Sequence, residues 1–165
     1  MSQYLSNKTF DEIAIGDTAS LCHTLIYRDI QLFAIMSGDV NPAHLDEDYA
    51  RSDMFHKIIA HGMRGGSLIS TLLGTQLPGP GAIYLSQTFK FLRPVGIGDT
   101  ITAQVTVTGK TPEKHIITLA CVCLNQLDKE VITGVAEVIA PLEKVHRLPV
   151  PLPEIDFKDP IPPSS

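Results

Sequence analysis

Asp39 and His44 are the two residues whose types and spacing point most directly to chemistry. They stand in the run 33–46, FAIMSGDVNPAHLD, which also carries Ser37, Gly38, Asn41, Pro42 and Asp46. Gly38 and Pro42 predict a loop, because glycine tolerates positive φ and proline fixes its own φ and drives its predecessor out of the helical region. Across so tight a bend both side chains can face one point. A carboxylate and an imidazole aimed at one water are what general acid–base catalysis near neutral pH requires. Gly-Asp-x-Asn-Pro is equally good turn chemistry, with Asp and Asn bonding nearby backbone and His44 opening the next segment. Spacing alone leaves both readings open.

The flanking segments must position this loop. Asp29 is expected to cap a short helix in which Ile30, Phe33, Ala34 and Ser37 fall at helical spacing, and Asp46-Glu47-Asp48 to open a second one towards Ser52. Met54, Phe55, Ile58 and Ile59 are expected to pack inward, with His56 and Lys57 at the surface. From 62 to 74 the large residues are apolar and the polar ones small, which predicts a buried helix. Two adjacent glycines there, Gly65 and Gly66, cost roughly 1 kcal/mol each against alanine, so burial or close ligand approach must offset them. Arg64 is the exception: a cation near a helix start opposes the dipole unless an anion meets it.

Around these helices the pattern is β. The run 18–27 reads as a strand, with His23 as an ordinary strand residue, and 75–82 as a loop. Four runs follow, 83–92, 100–108, 116–125 and 131–140. In the first, Ile83, Leu85, Phe89 and Phe91 share a face; in the second, Ile101, Ala103, Val105 and Val107 alternate with polar residues. Period-two alternation marks half-buried antiparallel strands. Cys121 and Cys123 share one strand face as small packing residues. The pattern defines an α+β class, a sheet curled about one buried helix. Seven of the 12 prolines lie in 141–165, so this tail is expected to run extended.

Composition narrows the function. With 165 residues, one domain is the default, and a net charge of −5 argues against nucleic acid or an anionic membrane surface as partner. Residues 1–13 lack the basic and apolar regions of a signal peptide, and no apolar run reaches membrane-spanning length, so a cytoplasmic protein is expected. Three cysteines without Cys-x-x-Cys predict neither a disulfide framework nor a metal site.

The run Ser37-Gly38-Asp39-Val40-Asn41-Pro42-Ala43-His44, with Ala50 six residues on, resembles the signature of (R)-specific enoyl-CoA hydratases, the MaoC-like members of the hot-dog fold superfamily. The likeness continues through Ala60-His61-Gly62-Met63, Leu77-Pro78-Gly79, Phe89 and Arg93-Pro94-Val95, and covers about 10–140. It is closer still to the hydratase domain at the N-terminus of bifunctional enoyl-CoA hydratase/phosphate acetyltransferase proteins. The resemblance implies a hot-dog domain over 1–140, followed by the tail 141–165. In the bifunctional relatives a linker there leads to an acyltransferase domain; no phosphate acetyltransferase activity is expected here.

The resemblance further implies a homodimer in fatty acid metabolism, acting on an acyl-CoA thioester with no cofactor beyond the coenzyme A of the substrate. Asp39 and His44 would hold and activate water, Asn41 orient the pair, and the Gly62 N–H stabilise the thioester oxygen. Ser70 would hydrogen-bond within the active site, and His61 would be structural. Arg64, Gly65 and Gly66 stand where the family has larger apolar residues and are candidate substrate contacts. Lys90 and Arg93, with Lys110 as a further option, are candidates for the coenzyme A phosphates. Two other functions compete: a hot-dog acyl-CoA thioesterase, a class that usually lacks the Asp-x4-His pair, and a non-catalytic acyl-CoA binding module.

Overall fold

The computed structural model describes residues 4–158. In chain order the elements are β1 (Leu5–Ser6), a 3-10 turn (Phe10–Glu12), β2 (Thr18–Thr24), α1 (Tyr27–Ser37), α2 (Pro42–Leu45), α3 (Glu47–Ser52), α4 (Gly62–Thr75), β3 (Ile83–Phe91), β4 (Thr100–Thr111), a second 3-10 turn (Pro112–Lys114), β5 (Ile116–Leu124), β6 (Glu130–Ile139) and β7 (His146–Arg147). The main sheet is antiparallel in the order β2-β4-β5-β6-β3, and β1 pairs separately with β7.

The alternation in the sequence decides which face of the sheet is covered. Ile101, Ala103, Val105 and Val107 of β4 and Ile117, Leu119, Cys121 and Cys123 of β5 are all buried, as are Ile132, Ala136 and Val138 of β6. They form one cluster with Leu68, Ile69, Leu72 and Leu73 of α4. Burial of each such large side chain stabilises by about 1.5–3 kcal/mol, enough to hold a glycine-rich helix that propensity alone would not. This is the hot-dog arrangement, a curled antiparallel sheet around a central helix. Burial pushes the Cys121 thiol up and, with Cys121 adjacent, takes that of Cys123 to about 12, which suits packing residues and not nucleophiles.

Several expectations are corrected. β2 ends at Thr24, because Leu25 exchanges backbone bonds with Asp99 and Gly98 and the chain then turns into α1. Asp29 stands in the first turn of α1 and not at its N-cap, which is Ile26, but it caps from within, its Oδ2 accepting the Ile26 N–H at 3.0 Å. Met54 is 81% exposed, since Asp53 Oδ1 takes the N–H groups of Phe55 and His56 in a tight turn that throws Met54 outward; Ile58 alone of that group is buried. Asp46, by contrast, stands at the N-cap of α3, accepting from Asp48 and Tyr49. A register shift between Tyr84 and Ser86 breaks the alternation of β3 at Ile83 and Leu85, which are exposed; Phe91, at the end of this edge strand, is exposed as well, and only Phe89 packs against the core.

Residues 141–158 run over the surface. Lys144 bonds the Asn7 carbonyl and Glu12, β7 pairs with β1, and the Arg28 guanidinium lies 4.7 Å from the Phe157 ring centroid. Among the described residues no helix is long and apolar enough to cross a membrane.

β3 can approach β6 closely only because Gly134 has no side chain: a Cβ there would stand 1.8 Å from the Thr88 carbonyl oxygen. Gly134→Ala is expected to force β3 off the sheet, costing more than the roughly 1–3 kcal/mol of ordinary overpacking. Thermal unfolding followed by circular dichroism should show a large fall in Tm; an unchanged Tm would contradict this packing.

Candidate active site

The loop 38–44 is built by a chain of short-range bonds. α1 stops at Gly38, left-handed at φ 75°, whose N–H bonds Ala34 at 2.8 Å. Ser37 Oγ donates to the Phe33 carbonyl (2.6 Å) and accepts the Asp39 N–H (3.2 Å). Asp39 Oδ1 accepts the Asn41 N–H (3.2 Å), and Asn41 Oδ1 accepts the Ala43 N–H (3.1 Å), capping α2 with Pro42 in its first turn. His44, on α2, is buried, and its Nδ1 donates to the Ile59 carbonyl at 2.8 Å. A carbonyl can only accept, so Nδ1 carries the proton and Nε2 of the neutral ring presents a lone pair.

His61 completes the group. It is buried just before α4, and its Nε2 donates to the Asp39 carbonyl at 3.0 Å. Its ring lies 3.9 Å from that of His44 and 4.9 Å from that of Phe33, centroid to centroid, and its buried Nδ1 has no hydrogen-bond partner among the described residues. A carboxylate oxygen of Asp39 and a ring nitrogen of each histidine lie within 4.8 Å of one another. That separation lets one water bond Asp39 and His44 together, since each bond to water spans about 2.7–3.0 Å. Gly62 opens α4 directly after His61, so its N–H has no acceptor within the helix and sits at the positive end of the dipole. A Cβ at Gly62 would meet the Phe91 ring at 3.0 Å, so the residue also answers a packing need.

Two hollows meet at this group. An inner cavity of about 310 Å³ is lined by His44, His61, Gly62, Arg64, Gly65 and Arg93 among others. An outer, more open one of about 400 Å³ is lined by Phe33, Ser37, Asp39, His61, Gly62, Met63 and Phe91. His61 and Gly62 border both, with His44 on the inner side and Asp39 on the outer.

The remaining candidates separate. Gly65 borders the inner cavity, but a Cβ there would stand 2.3 Å from Ile132 Cδ1; Gly66 is buried, and its Cβ would meet the Phe89 ring at 2.8 Å. The space these glycines leave is filled by the sheet. Ser70 and Lys90 are exposed and line neither hollow. Arg93 borders the inner cavity and donates to the Glu130 carbonyl. Lys110 is committed elsewhere, to the carbonyls of Phe10 and Ile13.

His23 is not an ordinary strand residue: its Nε2 meets Asp29 Oδ2 at 2.7 Å, and Asp29 Oδ1 lies 3.7 Å from Arg64 Nη2. His23 and Arg64 both line the inner cavity. Helical spacing could not find this, because its members come from β2, α1 and α4. Burial raises the Asp29 carboxyl pKa, but bonds from His23 and the Ile26 N–H, with the Arg64 charge, outweigh it and leave the pKa below the ordinary carboxylate range.

The match to the MaoC like domain family spans residues 15–122. The chain is 52% identical over 132 residues to an (R)-specific enoyl-CoA hydratase of Rhodospirillum rubrum, covering 80% of this chain and 91% of that one. It is 42% identical over 132 residues to a 3-hydroxybutyryl-CoA dehydratase of Methylorubrum extorquens, covering 80% and 83%. Its structure superposes on an unliganded R-hydratase of Pseudomonas aeruginosa with a TM-score of 0.90 at 42% identity, covering 94% and 99% of the two chains. The protein belongs to the MaoC-like family.

Two predictions follow from this geometry. Asp39→Asn keeps an oxygen for the Asn41 N–H, hence the turn, but removes the base; kcat for enoyl-CoA hydration is expected to fall about 10²–10⁴-fold with an unchanged circular dichroism spectrum. A near-normal rate would reduce the loop to a turn. Asp29, with its pKa held down in the folded state, stabilises the fold at pH above the unfolded carboxyl value of 3.8 and loses that contribution as pH falls through the lower folded value. Asp29→Asn should therefore flatten the acid limb of stability against pH below about 4; parallel wild-type and variant limbs would contradict it.

Proposed function

We propose that the protein hydrates trans-2-enoyl-CoA to (R)-3-hydroxyacyl-CoA, reversibly. The observation that carries this reading is the Asp39 carboxylate and a His44 ring nitrogen within 4.8 Å of each other beside the free N-terminus of α4. Water oxygen bonds C3 of the alkene as its proton passes to the dyad, negative charge moves to the thioester oxygen, and C2 then takes a proton. Asp39 and His44 hold the water and move these protons. The Gly62 N–H meets the enolate-like oxygen, a kind of contact worth about 3–4 kcal/mol in the transition state. Asn41 acts through the turn, holding the α2 start that carries His44.

The relatives named as an (R)-specific enoyl-CoA hydratase and as a 3-hydroxybutyryl-CoA dehydratase support the reaction, and the second supports a short acyl chain. Arg64 in the wall of the inner cavity supports the same preference, because a long alkyl chain would have to lie against a guanidinium. A cytoplasmic location, and no cofactor beyond the substrate's coenzyme A, complete the reading.

The functional unit in this reading is a homodimer joined through β3. That strand is a sheet edge, its residues Ile83, Tyr84, Leu85 and Phe91 are exposed, and Met63, which shares the outer hollow with Phe91, is exposed too. The other edge, β2, shows Thr18, Ser20, Cys22 and Thr24 outward, while Ala19 and Leu21 pack against the core. An apolar edge is the one that needs covering. A partner there would close the outer hollow next to Asp39, and would be the natural neighbour for Ser70 and Lys90. Light scattering at micromolar concentration is expected to give twice the chain mass; the mass of one chain would overturn this assembly.

Incubation with crotonyl-CoA tests the reaction. The expected result is loss of the conjugated-thioester absorbance, no free thiol, and (R)-3-hydroxybutyryl-CoA on chiral analysis. Release of free thiol would identify a thioesterase, and no change would identify a binding module.

A further inference from the structure

We propose that Arg64 selects enoyl thioesters whose acyl chain carries an oxygen acceptor, a ketone or a carboxylate, near its distal end. The inference rests on the hydratase reading and deepens it.

Arg64 projects from the first turn of α4 into the wall of the inner cavity, which is also bordered by His44 and Gly62. A chain extending from a thioester at Gly62 into that cavity therefore comes upon the guanidinium. The Arg64 side chain is only 13% exposed. A guanidinium offers five N–H donors and stays charged at any working pH. Its ion-pair partner among the described residues is Asp29, at 3.7 Å, which is attraction without a hydrogen bond. Asp29 is anchored through Oδ2, which takes His23 Nε2 at 2.7 Å and the Ile26 N–H at 3.0 Å, and it faces Arg64 with Oδ1. These bonds tie Asp29 to β2 and to the start of α1, which holds it short of contact.

Arg64 is thus held in place by charge while its donors remain open to whatever fills the cavity. A plain alkyl chain would strip water from those donors and put nothing in its place, the arrangement in which buried polar groups discriminate most strongly. A distal oxygen would satisfy them. A ketone needs only the hydrogen bond; a carboxylate adds charge attraction to Arg64 against repulsion from Asp29, so the two are separate arms of the test.

The test compares kcat/KM for three substrates of equal chain length: hex-2-enoyl-CoA, 5-oxohex-2-enoyl-CoA and hex-2-enedioyl-CoA. Wild-type protein is expected to favour at least one oxygenated substrate by about 10-fold or more, and Arg64→Leu to reverse the ranking, gaining on the plain chain and losing on the oxygenated ones. Equal or better use of the plain chain by the wild type overturns the proposal, and that ranking needs no variant. A uniform loss on all three by a folded Arg64→Leu protein also overturns it, leaving Arg64 as a strut to Asp29. Wild-type crotonyl-CoA hydration keeps the two readings apart: if crotonyl-CoA is hydrated and the ranking is flat, only the Arg64 proposal fails.

Discussion

The structure depends on the direct seating of α4 on the sheet. Gly65 and Gly66 leave no room for a Cβ against the side chains of Ile132 and Phe89, while Leu68, Ile69, Leu72 and Leu73 pack into the core with Ile101, Ala103, Val105 and Val107 of β4. That contact sets the height of the helix N-terminus, and with it the Gly62 N–H, the His61 ring and the shape of the inner cavity. A methyl group at either glycine would lift the helix or displace the sheet residue beneath it. The cost of two glycines within a helix is offset by the burial of Leu68, Ile69, Leu72 and Leu73 that close seating permits.

Turn chemistry and catalysis were rival readings of 38–44, yet the structure makes them compatible. Asp39 Oδ1 closes the turn onto the Asn41 N–H, which leaves the second carboxylate oxygen uncommitted within the turn. His44 is held by a backbone carbonyl at Nδ1, so its other nitrogen keeps a lone pair. His61 ties the two halves together, bonding the Asp39 carbonyl while its ring lies against that of His44. The bonds that form the turn are the ones that aim the groups.

The sheet and the buried helix were legible in the sequence because β4, β5 and α4 obey simple periodicities imposed by one covered face. Asp39, His44 and Gly62 were legible because they cluster within a short loop and a helix start. The failures share a cause. Gly65 and Gly66 signalled close approach, but a sequence does not say by what: Ile132 and Phe89 pack against them, and Gly65 also borders the inner cavity. The exposure of β3 followed from its edge position and, at Ile83 and Leu85, from a register shift beside Tyr84, neither of which alternation predicts. The His23–Asp29–Arg64 line joins three elements distant in sequence, so no local pattern encoded it.

Asp39 and His44 are expected to act as one unit on one water. A double-mutant cycle in kcat for crotonyl-CoA hydration tests it most directly, using Asp39→Asn, His44→Ala and the pair, each first shown to be folded. Residues that work as a unit are strongly non-additive. The double variant is expected to be little slower than the slower single one. Losses that multiply across the cycle would mean that the two residues act independently, and would contradict the shared water.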